Sequence, residues 1–365
     1  MEFTIEASSL SEALRDITRS TSNKAVTDIH SGIKLEAASG SLTVAAVNAQ
    51  YYVQKRISSV EIAEEGSIVL PGKLFTEVVK RMTGNLLLRT YQFRTEIISE
   101  DLKTHMNGID PQEFPQLPQQ EGETTFFLSN QTITDLIDGT AFAVSTNESK
   151  PVLTGVRWDV SERHIHSVAT NSHRLAQLHK SVEGKKEVQA TIPVMTLKEL
   201  KKLMKQEEEI EVSVGPTSVR FSSEDFLLHS RIIEGNYPSV EKLFPKEVTT
   251  RFTINKNNLH KSVDRATLFA SEWRHCNVNF ETSTEGKLRV YANASELGET
   301  EEFLPIEKFE GDLIKIACDG RFFMEALQSM HSEDIQISMS GDKRPIIIRP
   351  TNGDKHVHLI SPVRS

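Results

Sequence analysis

A chain of 365 residues leaves room for two or three domains at about 100–200 residues each. Its 38% hydrophobic and 25% charged residues, with 18 Gly and 13 Pro, exclude collagen-like, low-complexity and membrane-spanning chains. The net charge of −9 excludes a protein coated in positive charge, but it leaves room for a local basic surface.

In chain order, Phe3 and Ile5 alternate and predict a short strand. Ser8 or Ser9 then offers an N-cap before Leu10 and Leu14, which predicts a helix over 8–20. Alternating stretches at Ile33–Glu36 and Ser41–Val47 flank Ser39-Gly40 and predict a hairpin. A second helix is expected over 72–82, followed by further strands. The succession then returns. Phe126, Leu128, Ile133 and Ile137 repeat the spacing of Phe3, Ile5, Leu10 and Leu14, and so do Phe252, Ile254, Leu259 and Val263. Asn130 and Asn257 stand as the corresponding N-caps. Glu77 with Met82 recurs as Glu199 with Met204 and as Glu325 with Met330. Gly32-Ile33-Lys34-Leu35 matches Gly155-Val156-Arg157-Trp158 and, more loosely, Asn277-Val278-Asn279-Phe280. Three motifs at nearly one offset predict three copies, 1–122, 123–247 and 248–365, joined by polar turn-rich linkers near Gln112–Thr125 and Asn236–Thr250. Each copy reads as an α+β domain with two helices over antiparallel sheet.

Charge is distributed unevenly. The six predicted helices (8–20, 72–82, 130–142, 196–205, 256–270 and 320–331) hold 13 Lys or Arg against 8 Asp or Glu, a net of +5 inside a chain of −9. Such helices suit sequence-independent contact with a polyanion. The candidates for phosphate contact are Lys24, Lys73, Lys80, Arg81, Lys198, Lys201, Lys202, Lys205, Lys261 and Arg265. The 130–142 helix carries Asp135 and Asp138 and no cation, so the basic surface is expected to be patchy.

Several stretches resemble signatures of the bacterial DNA polymerase III beta subunit family, the replicative sliding clamps, with the Bacillus type most similar. They are Phe142-Ala143-Val144-Ser145-Thr146, Lys150-Pro151-Val152-Leu153-Thr154-Gly155-Val156, Ala169-Thr170-Asn171-Ser172-His173-Arg174-Leu175-Ala176, Glu234-Gly235-Asn236-Tyr237-Pro238 and the tail Leu359-Ile360-Ser361-Pro362-Val363-Arg364. The resemblance covers the whole chain. It implies the DNA clamp fold, with a crescent of three clamp domains closing as a head-to-tail homodimer into a six-domain ring around duplex DNA. It implies a non-catalytic processivity factor without cofactor or metal, served by a clamp loader. It also implies a cleft for short hydrophobic peptides of the DNA polymerase III alpha subunit, the loader and other clamp-binding-motif proteins. The matching cleft positions are Thr170, His173, Arg174, Leu175, Pro238, Leu243, Arg344, Pro345, Ile346, Leu359, Ile360, Pro362, Val363 and Arg364.

Copy one departs from the family pattern. It reads Lys24-Ala25-Val26-Thr27-Asp28-Ile29-His30 where the family has an Ile-Pro-Ile-Leu-like stretch. Large apolar dimer contacts are replaced by Thr104 and Met106, facing Leu268 and Phe269 of copy three. Losing a buried anchor can cost ~2 kcal/mol, so a second reading is a paralogue acting as a monomeric or weakly dimeric peptide-binding adaptor.

Catalytic patterns are sparse. The sequence has no P-loop, Rossmann fingerprint, HExxH or EF-hand. The pairs His164/His166 and His356/His358 would each share a strand face, but no third metal ligand lies near in sequence. Ser172-His173 is expected on a strand with the two side chains on opposite faces, which argues against a nucleophile and base. Cys276 and Cys318 form no CxxC pair and are expected to be reduced thiols. Residues 1–6 carry no basic or apolar run, so no secretory leader is expected and the working compartment is expected to be the cytoplasm.

Overall fold

The computed structural model describes residues 1–21, 29–100, 102–117, 122–182, 187–205, 209–270, 276–294 and 298–363. Lys24 and Arg364 lie outside these. Among the described residues there are six α-helices, α1 (Ala7–Thr18), α2 (Gly72–Val79), α3 (Asn130–Thr140), α4 (Val194–Leu203), α5 (Lys256–Ala270) and α6 (Gly320–Gln328). Each helix falls where a repeat motif placed one, with the C-terminal ends of all but α5 trimmed and α1 and α4 starting one and two residues earlier than expected.

The strand order is tripled as well. In copy one, strand Glu2–Glu6 precedes α1. Strands Gly32–Ala38, Ser41–Val47, Tyr51–Ile57, Val60–Glu64 and Gly66–Pro71 precede α2, and Asn85–Tyr91, Arg94–Ile98 and Lys103–Asn107 follow it. Copy three repeats this order between Thr250 and Ile360. Copy two does so between Thr124 and Arg231, with one strand fewer among its described residues. All pairings are antiparallel. Ser39 and Gly40, at φ of 50° and 73°, turn the first hairpin, and Gly286 at 69° turns its third-copy counterpart.

The chain forms two compact units, Met1–Gln131 with Met195–Ile232 and Thr132–Val194 with Ile233–Ser365. The first holds a five-stranded sheet that ends at strand Lys103–Asn107, and an eight-stranded sheet. The second holds a nine-stranded sheet, and a four-stranded sheet that ends at strand Gly298–Pro305.

The long sheets arise at the copy junctions. Strand Phe226–Arg231, the last of copy two, pairs with Tyr51–Ile57 of copy one, Leu228 opposite Val53. Strand His356–Ile360, the last of copy three, pairs with Arg174–Ser181 of copy two, His358 opposite Ala176. The last strand of a copy thus completes the sheet of the copy before it.

Core packing follows the helical period. In copy three, α5 buries Leu259, Val263, Ala266 and Ala270, and α6 buries Phe323, Ala326 and Leu327. Both faces join Phe252, Val278, Phe280 and Val290 in one apolar cluster, where Phe280 stacks on Phe323 at 4.8 Å. The caps differ from expectation. Asn255, not Asn257, caps α5, its Oδ1 accepting from Asn258 N at 3.1 Å. Glu6 precedes α1 without a side-chain cap, so Ser8 and Ser9 fall inside the first turn. Asp319 caps α6 by accepting from Arg321 N at 3.0 Å, a cap the sequence reading missed.

Lys55 of the junction strand is buried against Asp16 of α1, with Nζ 2.5 Å from Oδ2. Asp16→Ala leaves a buried ammonium without its carboxylate and is expected to cost about 3 kcal/mol in urea unfolding. Adding Lys55→Met should restore most of that loss; no recovery would mean that Lys55 is not held by this pair.

Candidate peptide groove and cationic helix faces

The groove begins at the turn Asn171-Ser172-His173, between strands His164–Thr170 and Arg174–Ser181. Asn171 Oδ1 accepts from the backbone N–H of His173 and of Arg174, both at 2.9 Å, and Thr170 Oγ1 donates to Arg174 O at 2.6 Å. Ser172 sits at a φ of 76°. Ser172 and His173 therefore lie in a hairpin turn, not on a strand; the Asn171 side chain stabilises the reversal. Among the described residues no hydrogen bond joins the Ser172 hydroxyl to an imidazole.

The C-terminal strand runs beside this hairpin. Leu359 lies opposite both Leu175 and Ile347, and Ile360 lies opposite Arg174 and Ile346. Ser361 N donates to His173 O and Val363 N to Ala317 O, each at 2.8 Å, and Pro362 bridges Cys318. The tail positions Pro362 and Val363 are half-buried on this path. Leu175 and Leu359 share an apolar cluster with Val168, Val240, Ile347 and Val357, and Tyr237 and Phe244 pack against it. Pro238 and Leu243, both exposed, flank Val240. Arg344 is exposed in a depression of about 760 Å³ with Lys242, Phe244 and Lys246, and Pro345 beside it is half-buried. Ile346 and Ile360 belong to the core beneath, so they support the groove rather than line it.

A second depression of about 460 Å³ adjoins the turn, lined by Val144, Leu153, Asn171, His173, Arg174 and Phe322. Phe322 was not legible as a groove residue in sequence, since α6 brings it there from copy three. Arg174 is the best-anchored member. It bonds the carboxylate of Glu325 and the carbonyl of Phe142, and its guanidinium lies 4.4 Å from the Phe322 ring and 5.2 Å from the Phe142 ring. It is buried, so within the cleft it serves as a floor and a strut. Apolar walls over a fixed guanidinium, with an exposed imidazole at the edge, suit short apolar peptides.

The histidine pairs are structural. His356 Nε2 lies 2.9 Å from Gly139 O, and His358 Nε2 lies 3.0 Å from Ser329 Oγ. Burial lowers the pKa of both. His166 stacks on His179 at 3.9 Å. His179 is pushed down to about 4, first by burial and then by the charges of His166, His164 and Lys355. Among the described residues no group of three His, Cys, Asp or Glu side chains is placed to hold a metal. Both cysteines are buried free thiols, raised in pKa chiefly by burial.

Helix charge is smaller than expected. The observed spans hold nine Lys or Arg and eight Asp or Glu, a net of +1, not +5. Arg19, Lys80, Arg81 and Lys205 lie at or just past the C-terminal ends of α1, α2 and α4, where cations meet the negative end of the helix dipole. Lys73, Lys80, Lys198, Lys201 and Lys261 are exposed. Arg81, Lys202, Lys205 and Arg265 are engaged with Glu77, Glu199, Asp225 and Glu302. Arg15 and Arg19 of the α1 region join Lys80 along a depression of about 650 Å³ between α1 and α2, a cationic contribution that sequence reasoning missed.

Two helices over antiparallel sheet, three times in tandem, define a three-domain clamp fold. The N-terminal, central and C-terminal domain families of the DNA polymerase III beta subunit match residues 1–118, 127–239 and 241–364. The beta sliding clamps of Halalkalibacterium halodurans and Bacillus subtilis are 32% and 31% identical, over 100% of each chain. The crystal structure of the Bacillus subtilis DNA polymerase sliding clamp aligns with a TM-score of 0.96 at 30% identity, covering 100% of this chain and 99% of that one. The beta subunit from Streptococcus pyogenes aligns with a TM-score of 0.96 at 26% identity, over 100% of both chains. The chain belongs to the DNA polymerase III beta subunit family, the non-catalytic sliding clamps.

Several histidines of the folded chain (His166, His179, His229, His356 and His358) hold protons less tightly than a free imidazole, with burial the leading cause. The unfolded chain binds more protons below about pH 6.5, so stability falls as pH drops from there toward 4. His179→Gln should flatten that slope in denaturant titrations; an unchanged slope would remove His179 from the account.

Proposed function

We propose that the chain is a DNA polymerase processivity clamp that closes head-to-tail with a second copy around duplex DNA. The carrying observation is the junction rule. Each internal junction is made by the last strand of one copy pairing with the strand after the hairpin in the copy before. Among the described residues two strands are left without that partner, Lys103–Asn107 at the edge of the five-stranded sheet and Gly298–Pro305 at the edge of the four-stranded sheet. Joining the five- and four-stranded sheets through these edges gives nine strands, in keeping with the eight and nine of the internal junctions. Open edges of this length favour such pairing. The contact is heterologous and closes when two three-copy chains meet. Thr104 is half-buried and Met106 buried in its own sheet, whereas Leu268 is exposed and Phe269 partly so. The seam therefore relies on backbone pairing more than on the apolar anchors. Nothing in the comparisons supports the monomeric adaptor.

On this reading the clamp modules are 1–122, 123–247 and 248–365, working in the cytoplasm with a loader. Lys73, Lys80, Lys198 and Lys261 supply weak, sliding phosphate contacts, with Arg81, Lys201, Lys202, Lys205 and Arg265 secondary because each already has a partner within the chain. The groove around Thr170, His173, Leu175, Pro238, Leu243, Phe322, Leu359, Pro362 and Val363 receives the polymerase alpha subunit, the loader and other clamp-binding peptides.

Solution mass should be about 82 kDa at micromolar protein, twice the 41.0 kDa chain. Protein loaded on a nicked circle should stay bound through a high-salt wash and leave once the circle is cut; retention on linear DNA would refute encirclement. Replacing Lys80, Lys198 and Lys261 by Glu should speed the loss from linear DNA at low salt and flatten the salt dependence of that loss. Phe322→Ala should weaken a fluorescent clamp-binding peptide by about tenfold without altering the dimer. Unchanged peptide affinity would move the groove elsewhere.

A further inference from the structure

We propose that the seam between two copies is a pH-sensitive latch, in which His105 of one copy stands opposite Glu299 of the next. This rests on the head-to-tail reading above and assigns that seam a register. Both internal junctions share one register, with Leu228 opposite Val53 and His358 opposite Ala176. Stepping across the ladders from the equivalent Phe3, Phe126 and Phe252 makes Thr104 the counterpart of Leu228 and His358. The same stepping from Leu35, Trp158 and Phe280 makes Thr300 the counterpart of Val53 and Ala176. At the third junction Thr104 then pairs with Thr300. His105 falls opposite Glu299 and Lys103 opposite Glu301, at the positions where Tyr52 meets His229 and Gln54 meets Leu227 inside the chain.

The charges fit this register. Lys103, His105, Glu299 and Glu301 are all exposed. On the His105 side, Glu96 of the neighbouring strand takes Lys103 Nζ at 2.6 Å and lies 3.8 Å from His105 Nδ1, and the hydrogen bond from Lys103 holds its carboxyl below the usual range. Arg94 is on the same strand as Glu96, and Arg89, one strand further, is paired with Glu2 at 3.0 Å. On the other edge, Arg289 holds Glu301 at 2.9 Å and Glu281 at 3.1 Å. Glu302, which alternates with Glu301 and Glu299 along the strand, is bound by Arg265 of α5. Closure sets Glu96, Lys103, Glu301 and Arg289 in an alternating row that keeps its charge across neutral pH. It also sets His105 between two carboxylates, Glu96 and the second copy's Glu299. Imidazole is the side chain that changes charge in that range. Neutral, it leaves the two acids facing each other across a weakly polar ring; protonated, it bridges them. Each seam therefore takes up a proton on assembly, and the dimer tightens as pH falls.

Sedimentation equilibrium of the full chain at about pH 8 and pH 6 and fixed ionic strength tests this. The dimer dissociation constant should be about tenfold smaller at the lower pH, since each closed ring contains two seams. His105→Arg should hold the tight value at both pH values, and His105→Ala or Glu299→Gln should lose most of the difference. If wild type shows no pH dependence, or His105→Ala keeps it in full, the latch is overturned while the dimer stands. A mass of 41.0 kDa at every pH and micromolar concentration would overturn the latch and the head-to-tail reading together.

Discussion

The structure depends on a sheet that no copy can finish alone. The last strand of a copy pairs with the strand after the hairpin in the preceding copy, so the backbone groups on the outer edge of that strand are satisfied only across a junction. This explains why the compact units do not coincide with the repeats. The second copy contributes strands Glu209–Val214, Ser218–Ser222 and Phe226–Arg231 to one unit, and strands from Gly155 to Pro193 to the other. Ionic contacts reinforce the same strands. Lys55 on the first junction strand is buried against Asp16, and Arg174 at the start of the second is locked to Glu325 and the Phe142 carbonyl. A lone charge at either place would be costly to bury, so each cation requires its partner element to be in register.

The repeat was legible because it is written in side chains that must be buried. Phe3, Phe126 and Phe252 sit on equivalent strands, and Leu10, Ile133 and Leu259 lie seven residues on in the helices that follow, each driven inward by the same hydrophobic term. Hairpins were legible where the backbone needs a positive φ, as at Gly40 and Gly286. The pairing across copies was not legible, because a period-two pattern says which face a residue takes and nothing about which strand lies beside it. The same limit hid Phe322 from the groove list and hid the anchoring of Arg174, since the partner Glu325 is 151 positions away. Ser172 was misplaced onto a strand because only the Asn171 side chain, bonding two backbone N–H groups, reverses the chain there.

The charge reading erred for a related reason. Helical spacing of apolar residues continues past the last hydrogen-bonded turn, so predicted helices ran long and collected Arg19, Lys80, Arg81 and Lys205. At a helix C-terminus a cation is favoured by the backbone carbonyls alone, which is a local reason to be there, independent of nucleic acid. Carboxylates then engage Arg81, Lys202, Lys205 and Arg265.

That economy of cations agrees with a clamp that holds by topology. Each phosphate neutralised adds affinity but also raises the barrier to the next displacement along the duplex, and a steep salt dependence marks proteins that grip through many such contacts. A ring needs none of that grip once closed, because escape requires breaking a seam rather than releasing phosphates. On the reading proposed above, exposed lysines such as Lys73 and Lys198 have stems long enough to follow the DNA backbone without fixing a register. The stability demanded of the protein shifts to its seams. Two of the three junction types are covalently continuous and buttressed by ion pairs of buried cations, Lys55 with Asp16 and Arg174 with Glu325. On the head-to-tail reading, the third has exposed charge and backbone edges to work with, which makes it the place where the ring would be both held and opened.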